Sequence, residues 1–116
     1  MSNLIEVKIN SKFPFSQNWL KEKADFWLKK RGKNDALLEI EVVGTRRITT
    51  LNKKFLHRMG PTDVLSFPLP SDKLLGTIFL CGDIIKKNAK ENKKTLEDET
   101  EFILRHGIDH IVGIHH

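Results

Sequence analysis

Apolar and polar residues alternate over residues 4–9 (LIEVKI), several of them β-branched, which is the pattern of a half-exposed strand. Pro14 and Ser16 interrupt it. Over residues 17–30 the period changes, because Trp19, Leu20, Ala24, Trp27 and Leu28 recur at helical spacing. This predicts an amphipathic helix with Ser16 as N-cap and Gly32 as its stop. Residues 36–43 (ALLEIEVV) alternate again and end at Gly44, a second strand. Helical spacing returns from Thr45, itself available as a cap, to Leu56, through Ile48, Leu51, Phe55 and Leu56. Beyond Gly60 and Pro61 two short runs read as strands, residues 62–68 (TDVLSFP) and 76–81 (GTIFLC), with PLPSDKLL as the loop joining them. Residues 83–94 predict a short helix and a charged connector, and residues 95–112 a longer helix. Thr95 with Asp98 makes an acidic capping pattern, and Glu97, Asp98 and Glu99 put negative charge at the positive end of the helix dipole. Leu96, Thr100, Ile103, Gly107 and Ile111 mark the face expected to be buried.

This order predicts an α/β (α+β) fold, a small mixed sheet of about four strands packed with helices. The 116 residues fit one core, so residues 1–116 are read as a single domain. A hydrophobic fraction of 39% and a charged fraction of 30% argue against disorder and against a fibrous repeat. No apolar run approaches the roughly 20 residues that span a bilayer, and the opening MSNLIEVKINSKF lacks a signal-peptide core, so a cytoplasmic location is expected. The single cysteine, Cys81, follows Phe79 and Leu80 and is expected to be a buried thiol. Lys and Arg outnumber Asp and Glu by 20 to 15, a formal charge of +5 that favours polyanionic partners. The densest basic stretch holds Lys86, Lys87, Lys90, Lys93 and Lys94; it can track a nucleic-acid backbone or be a solvated helix face.

The last twelve residues, RHGIDHIVGIHH, contain four of the five histidines. His106 and His110 are four apart and stack on one helix face, where both imidazoles can reach one metal ion. Gly113 can end the helix and return a third histidine to that ion, leaving an open fourth position as in a catalytic zinc site. Other readings of these residues are histidines that offset the helix dipole and a terminal pair left from a purification tag. Spacing leaves His115 and His116 both open as the third ligand. Gly107 occupies the place where H-E-x-x-H proteases carry their glutamate base, which disfavours that mechanism.

HGIDHIVGIHH resembles the H-G-x-x-H-x-x-G-x-D-H signature of the YbeY family of metal-dependent endoribonucleases, and LNKKFLHRMGPTDVLSFPLP resembles that family's L-N-x-x-(Y/F) … P-T-D-V-L-S-F-P block. The resemblance implies a single α/β domain with one Zn2+ held at the end of the C-terminal helix by His106, His110 and His116. It also implies single-strand-specific RNA cleavage in rRNA 3′-end maturation and ribosome quality control, with rRNA and the ribosome or its small subunit as partners. His115 stands where the family usually has aspartate and is left supporting the ligands or facing solvent; Asp109 stands where it usually has leucine. Leu56 occupies the position of the family's arginine, Ile114 replaces an aromatic, and relatives continue with an acidic helix beyond the third ligand, so the domain is expected to be shortened at its C-terminus.

On this reading zinc supplies the phosphodiester hydrolysis, and Arg58 is the expected cation against the phosphate, with Arg105 as a lesser candidate that can instead cap the helix end. Asp63 or Ser66 can orient a ligand histidine, and Thr62 with Asp63 can equally hold the turn after Pro61. Two other functions fit the sequence: a non-catalytic RNA- or ribosome-binding module with a structural metal, and a metallohydrolase of a small substrate.

Overall fold

The computed structural model describes residues 2–71 and 73–114. The elements follow the predicted order: β1 (Leu4–Ile9), α1 (Gln17–Lys30), β2 (Leu37–Val43), α2 (Thr45–Leu56), β3 (Val64–Pro68), β4 (Leu74–Cys81), α3 (Gly82–Glu91) and α4 (Leu96–Ile111). The strands form one mixed sheet in the order β1-β2-β4-β3. β1, β2 and β4 run parallel, and β3 pairs antiparallel with β4 as its hairpin partner.

Register decides which side chains share a face. Val7, Ile40, Ile78 and Ser66 form one row across the sheet. The first three belong to the main core with Leu20, Ala24 and Leu28 of α1, Ile85 of α3 and Ile103, Leu104, Ile108 and Ile111 of α4. Three helices therefore cover this face. On the other face α2 covers only the β3–β4 side, where Ile48 and Leu51 meet Val43, Leu65, Cys81, Phe67 and Phe79. The remainder of that face carries Glu6, Lys8, Glu39, Glu41 and Thr77, the polar members of the alternating strands.

The two predicted caps with local signals form. Ser16 Oγ accepts the Trp19 N–H at 3.0 Å, and Thr95 Oγ1 accepts the Asp98 N–H at 3.0 Å. Thr45 does not cap α2: Gly44 is the N-cap, without a side-chain hydrogen bond, and Thr45 is the first helical residue, its hydroxyl donating to Asp83 Oδ2 at 3.3 Å. β4 begins at Leu74, earlier than Gly76, because Leu74 pairs with Leu37 of β2. Cys81 is buried as expected. No helix of the described residues is long and apolar enough to cross a membrane.

Candidate functional site

α4 carries the site, and Gly107 lets it lie close against the sheet. A Cβ at Gly107 would stand 3.0 Å from Ser66 Oγ and 3.3 Å from both Ile78 Cγ2 and Val64 Cγ2. Glycine removes that obstacle, and the helix settles against β3 and β4. His106 and His110, one residue before and three after Gly107, then project together at the β3 edge, both exposed. The helix ends in a Schellman arrangement: Gly113 has φ 86°, its N–H donates to His110 O at 3.3 Å, and the Ile114 N–H donates to Asp109 O at 2.8 Å. The stop predicted at Gly113 is thus realised.

The opposite wall comes from α2 and the loop after it. Asn52 is buried in the last turns of α2, and its Nδ2 donates to Gly60 O at 3.0 Å, tying the loop to the helix. Its Oδ1 has no hydrogen-bond partner among the described residues. His57 turns the chain with a left-handed φ of 54°. The Arg58 N–H donates to Asn52 O at 3.3 Å, and Arg58 emerges exposed. Between the walls lies a groove of about 500 Å³ bordered by Leu56, Arg58, Met59, Thr62, Ser66, His106 and His110. Residues 50 positions apart in sequence thus face one another across one cleft.

Two imidazoles at helical i and i+4, opening into a groove, match two of the three protein donors that a catalytic zinc site uses. Among the described residues no group of three His, Cys, Asp or Glu side chains could hold a metal ion. The third predicted ligand, His116, and its alternative His115 lie outside the described residues.

The other candidates separate by position. Arg58 lies in the groove. Ser66 also borders it, under α4. Asp63 is committed to the fold, accepting from Asn88 Nδ2 of α3 at 3.2 Å and from Thr62 Oγ1 at 3.3 Å, while its carbonyl accepts the Cys81 N–H at 2.9 Å. Arg105 points toward α1, its guanidinium 5.3 Å from the Trp27 ring centroid and 5.4 Å from that of Phe102. The lysines of residues 86–94 do not line this groove, and Lys86 borders a separate one with Lys12 and Phe13. Sequence reasoning did not reach Asn52 or the partner of Asp109. Among the described residues Arg31 pairs with Asp109, and nothing local links residues 78 apart.

The family model of Endoribonuclease YbeY matches residues 5–116. The chain is 37% identical over 97 residues to the Endoribonuclease YbeY of Thermotoga maritima, covering 84% of this chain and 64% of that protein. It is 33% identical over 103 residues to that of Wigglesworthia glossinidia brevipalpis, covering 82% of this chain and 68% of the relative. With that of Cutibacterium acnes it shares 33% identity over 125 residues, covering 97% and 81%. The fold is similar to the solution structure of a Thermotoga maritima protein, with a TM-score of 0.64 and 30% identity over 97% of this chain and 75% of that one. The chain spans 64% of the length of the Thermotoga relative. The match runs through both walls of the groove, and the chain belongs to the YbeY endoribonuclease family.

Proposed function

We propose that the chain is a zinc-dependent endoribonuclease that cuts single-stranded RNA in the groove between α4 and the α2–β3 loop, and that it serves rRNA 3′-end maturation and ribosome quality control in the cytoplasm. One observation carries this reading: His106, His110 and Arg58 border the same groove although they come from opposite walls. His106, His110 and His116 would hold the ion. Bound there, zinc supplies Lewis acidity, polarising a phosphoryl oxygen and lowering the pKa of a water toward about 7.

The chain's own residues do the rest. The Arg58 guanidinium presents a planar fork of donors matched to a phosphate, so it binds the scissile group and stabilises negative charge gathering on it. Met59, 84% exposed, and Leu56, 40% exposed, offer apolar surface beside that cation. Unstacked bases can cover such surface, whereas a paired helix hides its base faces, which favours a single strand.

Leu56 also supports a second reading, since it stands at the position of the family's arginine: a module that binds RNA without cutting it. Zinc-loaded protein incubated with single-stranded RNA, double-stranded RNA and single-stranded DNA separates the two. Metal-dependent cleavage of the single-stranded RNA is expected, lost in His110→Ala and lowered in Arg58→Ala by about tenfold to a thousandfold. Binding of that RNA with no cleavage above the His110→Ala background would leave the module reading instead.

A further inference from the structure

We infer that Arg31 and Asp109 form a latch that positions the ligand-bearing end of α4, an inference that rests on the reading of His106 and His110 as metal ligands. Arg31 closes α1, its backbone N–H donating to Leu28 O at 3.0 Å. Its side chain crosses to α4 and grips Asp109 with two donors, Nε to Oδ1 at 2.6 Å and Nη2 to Oδ2 at 3.0 Å. The Asp109 side chain is 2% exposed and that of Arg31 26%. Asp109 is held a second time through its main chain, whose carbonyl accepts the Ile114 N–H in the turn leading toward His115 and His116. One residue, adjacent to His110, therefore ties the helix to α1 and closes the turn after it.

Stability does not account for a carboxylate at this place. It stands in the last turn of α4, where the helix dipole disfavours negative charge, and it is removed from water. An apolar side chain would carry neither cost. The paired groups provide geometry: a two-point hydrogen-bonded fork fixes distance and rotation, which apolar packing specifies loosely. At about 100° per residue His110 lies about 100° and His106 about 60° round the helix from Asp109, on the same side, so locking Asp109 toward α1 fixes the direction in which both histidines face the groove. Along the same seam Trp27 Nε1 donates to Glu101 Oε2 at 3.0 Å, Lys23 pairs with Glu101 Oε1 at 3.1 Å and Arg105 lies over Trp27. Among the ties of this row the latch stands next to His110, as Arg105 stands next to His106.

The test measures zinc affinity by competition with a chromophoric chelator, beside the melting temperature of metal-free protein. A joint Arg31→Met, Asp109→Leu variant, which removes both charges, is expected to weaken zinc binding about tenfold to a hundredfold, the range for residues that orient ligands, while the metal-free protein melts no lower than the parent. Arg31→Lys, which keeps the charge but loses the fork, is expected to weaken zinc in the same direction. Parental zinc affinity in both variants, with His110→Ala unable to bind, overturns the latch and leaves the ligand reading standing. Equal zinc affinity in His110→Ala and the parent overturns the ligand reading and the latch with it.

Discussion

A methyl group added at position 107 has little room, and that one fact places both histidines. Alanine is ordinarily preferred to glycine inside a helix by about 0.5–1 kcal/mol. At 107 the new atom would lie 3.0 Å from Ser66 Oγ and 3.3 Å from methyl groups of Val64 and Ile78. Ser66 can rotate, but Ile78 is fully buried among strands and cannot withdraw. Overpacking of this kind typically costs about 1–3 kcal/mol. Gly107→Ala is therefore expected to lower unfolding free energy by about 1–2 kcal/mol in urea titration, despite its better helix propensity. A variant as stable as the parent would show that α4 stands farther from β3 than described. The sequence displays this glycine in phase with Ile103 and Ile111, so its burial is legible; the strand it touches is not, because Ser66 and Gly107 are brought together by tertiary packing alone.

At the scale of elements, signals that act within one turn are the readable ones. Ser16 and Thr95 cap as their spacing predicts, because each hydroxyl needs only a backbone N–H three residues on. Thr45 has the same chemistry and sits one residue too late, its hydroxyl drawn to Asp83 across the β4–α3 junction. Leu74 and Leu75 look like loop because the segment before them is rich in Pro and Ser, yet pairing with β2 extends the strand to Leu74. The cap of α4 bears directly on the site, since the same helix carries His106 and His110. Thr95→Ala removes the acceptor for the Asp98 N–H and is expected to lower stability by about 0.5–2 kcal/mol, measured by thermal and chemical unfolding. Thr95→Ser should restore most of it. Loss of equal size in both variants would assign the effect to packing of the threonine methyl rather than to the cap.

The whole molecule turns an unremarkable positive charge into a directional one. A formal charge of +5 leaves open which lysines and arginines meet a polyanion. The fold distributes them: Arg58 opens into the groove shared with the histidine pair, whereas Lys86 borders a different groove and Lys94 lies 4.3 Å from the Phe102 ring centroid on the α4 side. Binding of a single-stranded nucleic acid weakens with salt in proportion to the phosphates neutralised, with a logarithmic slope of about 0.7 per contact. If the groove is the RNA path, Arg58→Ala lowers that slope by about 0.7, and a joint Lys86→Ala, Lys94→Ala variant leaves it unchanged. Fluorescence anisotropy of a labelled single-stranded RNA across a salt series, in protein carrying His110→Ala to prevent cleavage, reads both. A slope that falls for the lysine variant and not for Arg58→Ala would move the RNA onto the α3 and α4 surfaces and detach it from the cleft that His106 and His110 face.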